Sequence, residues 1–121
     1  MSDGFDYSDR VTHAHFPGRV HMTEKLFFGA LEFDILLGDV RSLKEKRSVI
    51  RPIIADLKRF GVSVTEGGEH DLYRRSLLGV AIASYGMNHL TEVLDKCERH
   101  VAYRPELELL SVRRRVFGPE D

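Results

Sequence analysis

Only one cysteine, Cys97, occurs among the 121 residues. A lone thiol closes no internal disulfide, which excludes a disulfide-stapled scaffold and fits a reducing compartment. Long apolar runs are missing as well: none approaches the roughly 20 residues that span a bilayer. The N-terminal sequence, which starts Met1-Ser2-Asp3-Gly4-Phe5-Asp6, shows no basic stretch followed by an apolar one. The expected location is the cytoplasm, with no membrane partner. An excess of one charge is also absent, the formal net charge being −1. Bulk attraction to nucleic acid therefore has no source, only a local patch would supply it, and no DNA partner is expected. The sequence further lacks a Ser-His-Asp set, a P-loop and a dinucleotide fingerprint. No catalytic residue, metal or cofactor is assigned.

What is present is ordinary globular sequence: 42% hydrophobic and 31% charged residues exclude wholesale disorder. The length suits one hydrophobic core. Residues 1–22 carry Gly4, Pro17 and Gly18 with no sustained period, so they read as a flexible N-terminal tail preceding a domain over 23–121. Met22 stands just before the first apolar run and is a candidate natural start. From Thr23 to Asp121, 16 Lys and Arg face 16 Asp and Glu, so the folded part is neutral but densely charged.

Strand alternation opens the domain. Phe27, Leu31, Phe33, Ile35 and Leu37 occupy odd positions with Glu32 and Asp34 between them, giving one buried face. Ser42-Leu43-Lys44-Glu45 is a capping box and starts a helix with the stripe Val49, Ile50, Ile53, Ile54 and Leu57. That helix ends near Phe60-Gly61, and Pro52 is expected to kink it. Val62 to Glu66 is a short strand broken by Gly67-Gly68. Ser76 to Ser84 is almost continuously apolar, as in a central strand covered on much of both faces. Gly86 and Asn88 open a second helix with the stripe Leu90, Val93, Leu94, Cys97 and Val101, and Leu107 to Phe117 is the last strand. The order βαββαβ predicts a ferredoxin-like α+β fold, a four-stranded antiparallel sheet with both helices on one face. Its open face should carry Glu32, Asp34, Ser63, Thr65, Gly79 and Ala81.

Chemistry-bearing candidates are few. Lys44, Arg47, Arg51 and Lys58 fall within a narrow arc of the first helix, where they form either a phosphate-binding row or a solvated flank. Lys44 and Lys46 stand in the opening turn against the helix dipole, which favours an anion there. Alternation sends Arg113 and Arg115 to one sheet face and Arg114 to the other; such an edge strand either binds a partner or deters edge pairing. Stacking of RNA bases on the sheet needs aromatics, and the open face offers at most Phe28, at the start of the strand beside two acids, so sheet-face RNA readout is disfavoured. Glu66, Glu69, His70 and Asp71 surround the Gly-Gly turn and read as a solvated loop, as do His13 and His15 in the tail. Cys97 and His100 share the second helix, and the thiol reads as buried and structural. Acylphosphatases share the predicted fold, but their glycine-rich loop is replaced here by Gly38-Asp39-Val40-Arg41-Ser42.

The run Arg41-Ser42-Leu43-Lys44-Glu45-Lys46-Arg47-Ser48-Val49, with Asp71-Leu72-Tyr73-Arg74-Arg75 and Leu94-Asp95-Lys96, resembles the YlxP-like family of small bacterial proteins, a domain of unknown function. The resemblance spans roughly Leu26 to Val116 and departs at Tyr73, where the family often has tryptophan, and in the long N-terminal tail. It implies a ferredoxin-like fold, frequent dimerisation, and a gene placed among transcription and translation factors beside ribosome-binding factor A. It implies no established activity. Lys44, Lys46, Arg47 and Arg75 carry over as recurrent positions only. The expectation is a non-enzymatic accessory factor contacting RNA or the ribosome through Lys44, Lys46, Arg47, Arg51 and Lys58, supported by Arg74, Arg75, Arg113 and Arg115. The alternative is a homo-oligomeric interaction or ligand-sensing module with no nucleic-acid role, a homodimer being the expected assembly.

Overall fold

The computed structural model describes residues 24–68 and 72–120. The proposed tail over 1–22, the candidate start at Met22 and the loop residues Glu69, His70 and Asp71 lie outside them. Among the described residues the chain runs β1 (Phe27–Leu37), α1 (Leu43–Lys58), β2 (Ser63–Gly67), β3 (Arg75–Ser84), α2 (Met87–Ala102) and β4 (Leu107–Phe117). The sheet order is β2-β3-β1-β4 with every neighbouring pair antiparallel. This is the ferredoxin-like α+β fold.

The odd residues of β1 enter the core, and Leu31, Phe33, Ile35 and Leu37 are buried there. Register places Val80 opposite Leu31 and Leu78 opposite Phe33, so the even residues of β3 share that face. Ile50, Ile53 and Leu57 of α1 and Leu90, Leu94, Cys97 and Val101 of α2 close over it. At Gly29 α2 packs close on the sheet, since a Cβ there would stand 2.8 Å from Leu94 Cδ1. α1 continues unbroken through Pro52 to Lys58. Gly61 adopts φ of 81° just beyond, a left-handed geometry that favours glycine and turns the chain toward β2.

β3 is central without being covered on both faces. Ser76, Leu78 and Val80 are buried and Ile82 packs partly buried beside them, whereas Leu77, Gly79, Ala81 and Ala83 look out from the open face. The continuous apolar run therefore comes from small or modest side chains tolerated on a solvent-facing surface. In β4 the pairing with β1 shifts between Asp34 and Ile35, leaving Leu110 unmatched. This bulge changes the phase of alternation, so Leu107, Leu109, Val112 and Val116 all pack against the core.

Candidate functional site

α1 begins where the sequence places it. The Ser42 hydroxyl accepts the Glu45 amide at 3.1 Å, and the Glu45 carboxylate accepts the Arg41 amide at 2.9 Å. With the helix phase fixed by that cap and by the buried stripe, Lys44, Arg47, Arg51 and Lys58 fall within an arc of about 60° over a length of about 21 Å. All four are exposed, and none of their side chains has an ion pair or hydrogen bond among the described residues. Arg47 and Arg51 also border a cleft of about 180 Å³ between α1 and β2, with Glu66 on its far wall.

Lys46 does not belong to that row. It occupies the apolar stripe one turn before Ile50 and is only 3% exposed. Its Nζ donates to the Leu72 carbonyl at 2.9 Å and stands 4.0 Å from Glu66, which in turn accepts the Ser76 hydroxyl at 3.1 Å. As a surface contact for RNA, Lys46 is thereby corrected: its charge is held inside the fold. The physical cause is helix phase, because residue 46 shares a face with Ile50 and Ile53 while residues 44 and 47 do not.

The remaining cations sort by partner. Arg74 donates to the carbonyls of Leu37 and Gly38 at 3.2 and 2.9 Å, tying the end of β1 to the start of β3. Arg75 grips both oxygens of Asp34 at 2.9 and 2.8 Å. Arg114 turns toward the helices and meets Asp95 at 2.9 Å and Glu98 at 3.0 Å. Arg113 reaches Glu32 at 3.7 Å on the open face. Arg115 shares that face and has no partner among the described residues. The split of the arginine triplet is as alternation requires, but Arg74 and Arg75 are engaged in holding strands together.

The open face also differs from expectation in its aromatics. Phe117 is the cross-strand neighbour of Phe28, and both rings are half exposed. Glu32, Asp34, Ser63, Thr65, Gly79 and Ala81 lie on this face as alternation predicts. A depression of about 380 Å³ runs across it, floored by Ala30, Gly79 and Ala81 and walled by Ser63 and Thr65 on one side and Arg113 and Arg115 on the other, with the carboxylate of Glu32 beside Arg113. Phe117 was legible as the terminal apolar residue of β4, but its phase was hidden by the bulge at Leu110.

Among the described residues no three His, Cys, Asp or Glu side chains group as metal ligands would. Burial pushes the Cys97 thiol up from its ordinary value, with the Arg114 guanidinium pulling weakly the other way, so the reactive thiolate is disfavoured. His100 and Arg104 converge on Asp56 at 3.3 and 3.4 Å and join the ends of the two helices. Among the described residues, no helix is long and apolar enough to cross a membrane.

Comparison with known proteins gives a consistent family match. A family model described as protein of unknown function (DUF503) matches residues 28–114. The uncharacterized protein YlxP of Bacillus subtilis (strain 168) is 30% identical over 90 residues, covering 74% of this chain and 98% of YlxP. Among solved structures, the de novo designed protein Foldit4 is 14% identical with a TM-score of 0.47, over 76% of this chain and 96% of the design. Protein SO0527 from Shewanella oneidensis is 13% identical with a TM-score of 0.46, over 81% of this chain and 94% of that one. Structural likenesses at this level carry no functional information.

Proposed function

This chain belongs to the DUF503 family of YlxP-like proteins, and from that premise we propose that it is a non-enzymatic accessory factor that holds RNA along the outer flank of α1. The observation that supports this reading is the row of Lys44, Arg47, Arg51 and Lys58, whose side chains have no ion pair or hydrogen bond among the described residues. Elsewhere the fold neutralises most of its arginines with carboxylates or carbonyls, as at Arg74, Arg75, Arg104 and Arg114. A stripe of four cations left without counter-charges repels itself, and phosphates spaced along a strand relieve that repulsion while releasing their counterions. The gene setting that accompanies the family resemblance makes ribosomal RNA the first RNA to test.

Binding of labelled RNA, followed by anisotropy across a salt series, tests the reading. Lys44→Glu combined with Arg47→Glu is expected to weaken binding at least tenfold and to flatten the salt dependence. Neutralised phosphates of single strands contribute about 0.7 each to the logarithmic slope, so losing two contacts removes about 1.4. Lys96→Glu with Arg99→Glu applies the same charge change to α2 and should leave the slope unaltered. Binding that survives the α1 pair, or falls equally with the α2 pair, rules out the row as the contact surface.

A further inference from the structure

We propose that the open face of the sheet is a stacking platform for unpaired bases of single-stranded RNA, an inference that rests on the RNA reading of α1 and extends it to the strand's bases. Phe28 and Phe117 are cross-strand neighbours on this face, 48% and 45% exposed. Core packing does not require them, because the opposite face of the same strands already supplies the buried residues. Two rings on neighbouring strands lying open to water offer apolar π surface, and every base offers a face that can stack on such a ring.

Cations follow at the spacing of the strand. Arg115 and Arg113 come two and four residues before Phe117 on the same face, at steps of about 7 Å. Arg115 is without a partner among the described residues and Arg113 is only loosely held by Glu32. Ala30, Gly79 and Ala81 keep the floor between these arginines and the hydroxyls of Ser63 and Thr65 close to backbone level. Gly79 cannot be enlarged without crowding, since a Cβ there would lie 3.2 Å from Thr65 Cγ2.

A second copy of this chain is the competing occupant. It would cover Phe28 and Phe117, but it would also strip water from Arg113 and Arg115 unless its own acids on this face, Glu32 or Glu108, came into register with them, and a charge buried without such a partner is strongly unfavourable. A polyanion that carries aromatic rings satisfies the phenylalanines and the arginines together. Only β2, five residues long and at the sheet edge, separates this depression from the cleft bordered by Arg47 and Arg51. A strand that crosses the β2 edge therefore reaches both surfaces.

The sequence contains no tryptophan, so Phe117→Trp introduces a single indole reporter at the platform. The probes are a mixed-sequence single-stranded RNA and the blunt duplex of the same length. The single strand is expected to quench the indole and the duplex to leave it bright. Phe28→Ala and Phe117→Ala should each weaken single-strand binding about tenfold. Phe28→Tyr and Phe117→Tyr should restore it, and Tyr103→Ala, which removes a 79% exposed ring on the helical side, should change nothing. RNA binding that needs Lys44 and Arg47 yet ignores both phenylalanines overturns the platform and leaves the α1 reading standing. Absence of any RNA binding by the unaltered protein overturns both. A dimer in sedimentation that dissociates on Phe28→Ala with Phe117→Ala, without an effect on RNA, gives the face to a second copy and overturns the platform.

Discussion

Lys46 sits where its residue type argues against it, and the reason lies in three atoms. The long aliphatic stem fills the α1 stripe, while the ammonium reaches the Leu72 carbonyl and the neighbourhood of Glu66. Removing the charge while keeping the stem leaves an acceptor unsatisfied and Glu66 with Ser76 alone. Lys46→Met should therefore lower stability in urea unfolding by about 1–2 kcal/mol. Lys46→Ala also opens a void and should lose about 2–4 kcal/mol. RNA affinity should be unchanged in Lys46→Met, in contrast to the loss expected at Lys44 and Arg47. A change under about 0.5 kcal/mol in the alanine variant, the range of ordinary surface substitutions, would show that the interior contacts of Lys46 are inconsequential. The helical period already placed residue 46 on the buried face, three after Leu43 and four before Ile50. Composition alone suggested a surface cation, because lysine is rarely buried without a partner.

At the scale of elements, the two helices start differently. α1 is capped by a side chain: Ser42 accepts the Glu45 amide. α2 starts at Gly86, which offers no side-chain cap, and its backbone there is extended, φ −178°, a conformation any residue adopts. Ser42→Ala should thus cost about 1 kcal/mol. Gly86→Ser should add a few tenths of a kcal/mol, since a Cβ at Gly86 meets nothing within 4 Å. Thermal melts of the two variants check both signs, and a stabilised Ser42→Ala would refute the capping account. Both starts were legible in the sequence. The arrangement of β4 was less so, although Leu107 and Leu109 on odd positions, followed by Val112 and Val116 on even ones, carry the signal of a bulge.

For the molecule as a whole, the arginine triplet joins layers. Arg114 latches β4 to α2 through Asp95 and Glu98, while Arg113 and Arg115 face the other way. Arg114→Ala should lower stability by about 1 kcal/mol, the upper range for partly exposed pairs, and hasten amide exchange along β4. Arg115→Ala should stay within about 0.5 kcal/mol of the parent and leave exchange unaltered. Equal effects at the two positions would mean that the latch is not holding the edge strand. Asp56 does the corresponding work between the helices, receiving His100 and Arg104 at their C-terminal ends.

The elements, their order, the two helix starts and the face assignment of β1 and of most of β3 follow from the order of amino acids alone. These depend on local physics: backbone periods of 2 and 3.6, a capping side chain and a glycine that turns the chain. The basic row on α1 was legible for the same reason, being a matter of phase on one helix. Tertiary structure alone decided which cations remain unpaired, because a partner such as Asp34 for Arg75 lies 41 residues away in the chain. It also decided that Phe117 stands beside Phe28, since that neighbourhood depends on strand register and on one unmatched residue, Leu110. Long-range pairing and register are set by the packing of the whole sheet, and no local pattern encodes them.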